Sequence, residues 1–230
     1  METPALSTVV DRLRGCYGTP KPPLTSDPFE LVLYENVSYL VDDAHRIEAF
    51  QNLKSSIGTR PEDILTASPQ KFESVVRLAG SDKKGRIAKL VSAANIAIND
   101  FADDVRSVLS LPFKKAVAAL MKFPSIGEPS AEKILLFCGA AEALPLESNG
   151  LRVLVRVGYV NEETNYTAMY RNIRAAISEQ IVKDRDWLIS AHLLLRQHGQ
   201  TICKRAKPLC SQCVLLEMCK YGQTHYARSN

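Results

Sequence analysis

The chain has 230 residues, 46% of them hydrophobic, enough for a buried core in one large domain or two small ones. Its net charge of +4 is mildly basic and hints at an anionic partner. No window approaches the roughly 20 apolar residues of a membrane span, and the start, METPALSTVVDRLRGC, lacks the charged-then-apolar order of a secretion signal; a soluble, cytoplasmic protein with no membrane partner is expected.

Almost every segment has helical periodicity. TPKPPLTS reads as an extended connection. Asp27-Pro28-Phe29-Glu30 then opens a helix: Asp27 caps, Pro28 suits the first helical position, and Glu30 can reach back to the cap backbone. Ser68-Pro69 and Leu111-Pro112 are further starts, and Gly58, Gly80, Gly127, Gly139 and Gly158 mark stops or turns. RIAKLVSAANIAINDF and TAMYRNIRAAISEQIV carry apolar residues three and four apart. LRVLVRVGYV alternates and is β-branched, as a strand would be, yet Arg152 and Arg156 are one helical turn apart. With no second strand to pair with, it is expected to be a helix. Basic residues cluster at Lys83, Lys84, Arg86 and Lys89, at Lys114, Lys115 and Lys122, and at Lys204, Arg205 and Lys207. Each cluster lies beside a turn or Cys loop, where backbone N–H groups could also meet phosphate.

FPSIGEPSA, residues 123–131, stops one helix and starts another on a Gly. Gly127 can turn left-handed without steric cost, and the next helix then begins with outward N–H groups able to hold a phosphate. The same stretch also suits an ordinary packing corner.

Six Cys are present. Cys16 and Cys138 stand in apolar surroundings and read as small core residues. CKRAKPLCSQCVLLEMC instead groups Cys203, Cys210, Cys213 and Cys219. Four thiols this close can surround one metal centre, zinc or an iron–sulfur cluster, with two disulfides as the alternative for an oxidising compartment.

The C-x6-C-x2-C-x5-C spacing, preceded by LLRQHGQTIC, resembles the endonuclease III-like branch of the helix-hairpin-helix DNA glycosylase superfamily. There these thiolates hold a [4Fe–4S] cluster that ties down a basic loop, here Lys204, Arg205 and Lys207. FPSIGEPSA resembles the family hairpin Leu-Pro-Gly-φ-Gly, with Ser125 in place of its first Gly and Ile126 and Gly127 in register. The resemblance makes these three residues, with Ser148 and Asn149, DNA contacts. Pro129 falls where bifunctional members carry the Lys that forms a Schiff base with the sugar. Proline has no side-chain amine, so water is the expected nucleophile. Lys133, one turn on, reads as a surface Lys, with a substitute nucleophile as the other possibility.

The family also places an Asp about eighteen residues beyond that Lys, a carboxylate suited to an oxocarbenium-like transition state. Here LESNGLRV matches, so Glu147 is the first catalytic candidate, although its extra methylene moves the carboxylate by more than about 1 Å. On spacing alone, Glu147 reads first as a helix-start acid beside a Ser148/Asn149 cap; the resemblance puts catalysis ahead. The second candidate is Glu35 in DPFELVLYENVSYLV, which resembles the position of the acid that protonates the base in the adenine-removing branch. Tyr34, Asn36 and Tyr39 could line a base pocket there. His198 reads as structural support for the Cys loop.

The resemblance implies an all-α, two-domain helix-hairpin-helix DNA glycosylase fold with an iron–sulfur cluster loop at 203–219. A six-helix barrel domain would span 27–139 and end in the hairpin, about 117–137. Residues 1–26 and 140–230 would form the cluster domain, with DNA across the cleft and Glu147 at its floor. The expected function is a monofunctional DNA glycosylase of base excision repair, acting as a monomer on double-stranded DNA with a damaged or mismatched base. The alternatives are a catalytically inactive damage binder of the same fold and a zinc-containing DNA-binding module. The chain ends soon after the Cys loop, so an 8-oxoguanine-reading extension is not expected.

Overall fold

The structure, a computed structural model, describes residues 2–21, 23–38, 43–77, 80 and 82–225. Tyr39 lies outside them. Among the described residues it is all-helical, apart from an isolated bridge residue at Gly80, and no helix is long and apolar enough to cross a membrane. Two compact units are present, residues 23–141 and residues 1–22 with 142–230.

The first unit holds α2 (Pro28–Asn36), α3 (Asp43–Ser56), α4 (Pro61–Leu65), α5 (Pro69–Val76), α6 (Lys83–Phe101), α7 (Phe113–Leu120) and α8 (Glu128–Phe137). Among the described residues this unit has seven helices where six are expected, and Pro61 and Pro69 each open a short one. Asp27 caps α2, accepting from the N–H groups of Phe29 and Glu30 at 3.0 Å. Glu30 does not reach back to the cap. The Asp27 N–H donates to Thr25 Oγ1, while Glu30 Oε1 takes Thr59 Oγ1 and Lys54 Nζ, each at 2.8 Å. Arg86 leaves its expected surface cluster and is buried, with 4% of its surface exposed.

The second unit packs α1 (Leu6–Tyr17), α9 (Ser148–Val157), α10 (Tyr166–Ile177), α11 (Arg185–Thr201) and α12 (Lys220–His225), with the Cys loop between α11 and α12. LRVLVRVGYV is helical, as expected. Leu151, Val153, Leu154, Val155 and Val157 are buried, so α9 is apolar nearly all round and Arg152 and Arg156 stripe its remaining face. Gly158 ends it at φ +119°, donating its N–H to the Leu154 carbonyl. Asn149 of α9 and Gly199 of α11 approach so closely that a Cβ on Gly199 would stand 2.5 Å from the Asn149 carbonyl oxygen.

Candidate nucleic-acid and catalytic sites

In the hairpin between α7 and α8, Phe123 and Ile126 are buried anchors, and Phe123 stacks on Phe101 with centroids 5.4 Å apart. The left-handed residue is Ser125, at φ +62°; Gly127, expected there, is extended at φ −93° and serves as the N-cap of α8. Register explains the exchange: the turn falls at the first position of the Ser-Ile-Gly run, not the last. Lys89 Nζ of α6 donates to Ser125 Oγ at 2.9 Å and ties the turn to α6. Gly127 supplies no side-chain cap and Pro129, in the first turn, has no N–H. The exposed hairpin thus presents an uncapped helix N-terminus beside an ammonium group.

One turn further along α8 stands Lys133. It is not a surface lysine: its side chain is 13% exposed and its Nζ is 2.8 Å from Glu35 Oε1, itself 13% exposed. Arg46 Nη1 of α3 approaches the same oxygen at 3.8 Å. Both cations therefore address the same oxygen of this half-buried carboxylate. Tyr34, expected to stack on a base, meets Phe50 edge-on at 5.5 Å and carries the Arg46 guanidinium 5.7 Å from its ring centre. Asn36 has no exposed surface, and its Nδ2 donates back to the Val32 carbonyl at 2.9 Å. Asn36 is thus buried, whereas Tyr34 keeps part of its surface exposed.

In the other unit, Glu147 is the N-cap of α9, taking the place expected for Ser148/Asn149. Its Oε1 accepts from the N–H groups of Asn149 (3.0 Å) and Gly150 (2.9 Å), and its Oε2 from Asn149 Nδ2 (2.9 Å). A carboxylate at this helix end is stabilised by the macrodipole, and its oxygens are fixed in direction. Arg152 continues the chain of contacts: Nη2 donates to Asn149 Oδ1 (2.8 Å) and the Gly199 carbonyl (2.7 Å), and Nε to the Cys203 carbonyl (2.9 Å). Glu147 is thereby joined through two side chains to the first residue of the Cys loop. The next residues, Ser148 and Asn149, border a cavity of about 690 Å³ with Arg152, Tyr166, Lys204 and Arg205, among others; Glu147 itself does not line it.

All four loop cysteines line one small cavity with Arg156, Leu216 and Tyr221. Among the described residues, no three His, Cys, Asp or Glu side chains converge closely enough to hold one metal ion. Burial pushes Cys213 up to about 11 and also raises Cys210 and Cys219. These thiols gain thiolate character only against cationic charge, as from a metal. Arg156 clamps the loop, donating to the carbonyls of Lys204 (2.7 Å) and Arg205 (3.0 Å) while lying 4.6 Å over Tyr221. Lys204, Arg205 and Lys207 themselves are exposed. Burial lowers His198 to about 4, so its ring is neutral at physiological pH. It bridges Tyr17 Oη (2.8 Å, at Nδ1) and Cys213 Sγ (3.4 Å, at Nε2).

Arg46 and Tyr166 carry no site signal in the sequence, and Lys89 enters only as one member of a basic cluster. Arg46 and Lys89 depend on partners 11 and 36 residues away, which no local pattern carries.

No family model matches the chain. It is 26% identical over 199 residues to an endonuclease III of Sulfolobus acidocaldarius, covering 86% of this chain and 83% of that one. An endonuclease III trapped as a covalent intermediate with DNA superposes with a TM-score of 0.74 at 19% identity, over 97% of this chain and 99% of the other. A thermostable thymine-DNA glycosylase does so with a TM-score of 0.71 at 19% identity, over 95% and 97%. The chain therefore shares the fold of these solved DNA glycosylases, and in sequence it is similar to endonuclease III.

Proposed function

We propose that this chain is a DNA glycosylase of base excision repair that hydrolyses the N-glycosidic bond of a flipped, damaged or mismatched base, with little or no lyase activity. The observation that carries this reading is the fixed carboxylate of Glu147 at the start of α9, one residue ahead of a cavity bordered by Ser148, Asn149, Arg152, Lys204 and Arg205. Glu147 stabilises the oxocarbenium-like charge at C1′ and orients the attacking water. The uncapped start of α8, with Ser125, Ile126 and Gly127, takes one backbone phosphate. Lys204, Arg205 and Lys207, with Ser148 and Asn149, take others. Pro129 offers no amine, and the Lys133 nitrogen is engaged by Glu35; both features favour water over a Schiff base.

The four loop cysteines would hold a [4Fe–4S] cluster, which supplies the loop with a rigid anchor. Arg152, Arg156 and His198 bind the loop to α9 and α11 from the protein side. Iron and acid-labile sulfide in the purified protein, with a broad visible absorption, support the cluster; one zinc per chain in a colourless protein overturns it.

The test of function is single-turnover base release from duplexes carrying uracil, thymine opposite guanine, hypoxanthine, alkylated purines, 8-oxoguanine pairs and oxidised pyrimidines, each read with and without hot alkali. Strand breaks that appear only after alkali are expected. Breaks without alkali overturn the monofunctional assignment. Tight lesion binding with no release from any duplex identifies an inactive damage binder, a reading favoured by the engagement of both Glu147 oxygens in capping α9.

A further inference from the structure

N–H groups are aimed at three of the four loop sulfurs. Arg156 Nη1 lies 3.4 Å from Cys203 Sγ, the Gly222 N–H donates to Cys219 Sγ at 3.4 Å, and His198 Nε2 stands 3.4 Å from Cys213 Sγ. Such donors suit thiolates, which accept hydrogen bonds and have no hydrogen to give, and so they suit sulfurs that serve as ligands. The His198 contact differs from the other two. A neutral imidazole carries one N–H, and the nitrogen that bears it decides whether Cys213 meets a donor or a lone pair.

The hydrogens of this corner can be traced from the surface inward. Thr201 Oγ1 donates to the Gln197 carbonyl at 2.8 Å, so its hydrogen is already used. Tyr17, the last residue of α1, has one phenolic hydrogen and two neighbours, His198 Nδ1 at 2.8 Å and Thr201 Oγ1 at 3.5 Å. The shorter contact takes the hydrogen. Nδ1 is then the acceptor, and the ring hydrogen sits on Nε2, facing Cys213 Sγ. The opposite tautomer would set a nitrogen lone pair against a thiolate and leave the phenol only the long contact to Thr201. The His198 ring is 1% exposed, which keeps bulk water from either nitrogen, and Tyr17 meets it edge-on with centroids 5.9 Å apart.

We infer that Tyr17 and His198 form a hydrogen-bond relay that tunes the metal centre of the Cys loop: Tyr17 locks the tautomer of His198, and His198 donates to the Cys213 thiolate. The inference rests on the cluster reading above. Both are positioning residues, acting on the centre through Cys213. A donor to a ligand sulfur draws off electron density, which favours the reduced member of a redox couple and raises its potential. The relay therefore makes the centre harder to oxidise. It also ties α1 to the loop across 181 residues of sequence.

The experiment measures the midpoint potential of the cluster and its Fe–S(Cys) resonance Raman bands in H2O and in D2O, with iron and acid-labile sulfide counted in every sample. The proteins compared are the wild type, Tyr17→Phe, His198→Phe and His198→Gln, whose amide can place an N–H near the position of Nε2. His198→Phe is expected to shift the midpoint to a more negative value, to bleach faster in air, and to lose part of the deuterium shift, the remainder belonging to Arg156 and Gly222. Tyr17→Phe, which removes only the hydroxyl, should shift the midpoint the same way by less. His198→Gln should recover most of the wild-type midpoint. A position 198 that served packing alone would give the reverse, with the aromatic Phe like the wild type and Gln unlike it. His198→Phe or Tyr17→Phe with full iron and sulfide, a wild-type midpoint and a wild-type isotope pattern overturns the inference and leaves the cluster reading standing. If His198→Phe does not retain iron, Tyr17→Phe decides by the same two measurements, since its ring and packing remain. Zinc in place of iron and sulfide in the wild type overturns the cluster reading and the inference with it.

Discussion

Lys89 and Ser125 are joined by a 2.9 Å hydrogen bond across 36 residues, and Ser125 is the residue that turns left-handed in the hairpin. A side chain in this conformation costs about 1 kcal/mol relative to glycine, so the contact with Lys89 offsets a strained turn. Ser125→Gly is expected to stabilise the protein by about 1 kcal/mol, less the small worth of an exposed hydrogen bond. Ser125→Ala keeps the strain, loses the bond and should be slightly destabilising. Urea midpoints of the two variants test this; a glycine variant less stable than the alanine one contradicts it.

Glu147 has two roles that mutation can separate. As the N-cap of α9 it needs only an acceptor oxygen, which Gln retains; as a charge stabiliser it needs its negative charge. Glu147→Gln should therefore abolish base release while stability changes by less than about 1 kcal/mol and DNA affinity stays within a few-fold. Glu147→Ala should abolish release and also cost about 1 kcal/mol through the missing cap. Release by the Gln variant at the wild-type rate removes Glu147 from the mechanism.

The helices are legible in the sequence because their signals are local. Asp27-Pro28 starts α2 and Gly158 ends α9 through contacts within a few residues. α9 is the hard case, since its apolar and arginine positions alternate as a strand's would while Arg152 and Arg156 also fall one helical turn apart on one face. The grouping of the four cysteines is equally plain from spacing. Partnership at a distance is not legible. Lys133 looks like an ordinary helix-surface lysine until α2 brings Glu35 to it from 98 positions earlier. Glu35 looks like a buried acid until Arg46 and Lys133 supply its counter-charges. Sequence puts the left-handed turn at Gly127 and the structure puts it at Ser125, because glycine permits such a turn but does not require one.

The exposed loop cations have a signature of their own. Arg156 holds this loop through the backbone carbonyls of Lys204 and Arg205, which leaves the side chains of Lys204, Arg205 and Lys207 directed by the loop and open to solvent. Reversing their charges should weaken binding to damaged and intact duplexes alike. The slope of log affinity against log salt should become shallower by about 0.9 for each phosphate that is no longer neutralised. A weakening confined to one lesion would instead assign these residues to base recognition. Arg156→Met is expected to weaken binding similarly with all three loop cations intact, because the loop is then without its clamp.

Two glycines where α9 meets α11 should respond oppositely to the same change. A Cβ on Gly199 would lie 2.5 Å from the Asn149 carbonyl oxygen and 2.7 Å from its carbon, backbone atoms that cannot move aside alone. On Gly150 the nearest atom would be Leu195 Cβ at 3.4 Å, an ordinary contact. Gly199→Ala must push α9 away from α11, costing roughly 1–3 kcal/mol, and the shift passes to Asn149, which holds Glu147, and to the Gly199 carbonyl that anchors Arg152. Base release should therefore fall more than the decrease in folded protein explains, since displacement by about 1 Å at a catalytic group can cost a hundredfold in rate. Gly150→Ala should be neutral or stabilising by up to about 1 kcal/mol, because alanine favours the helix. Thermal midpoints paired with single-turnover rates on folded protein decide between them; equal effects at the two positions would mean that the close approach of Asn149 and Gly199 does not position Glu147.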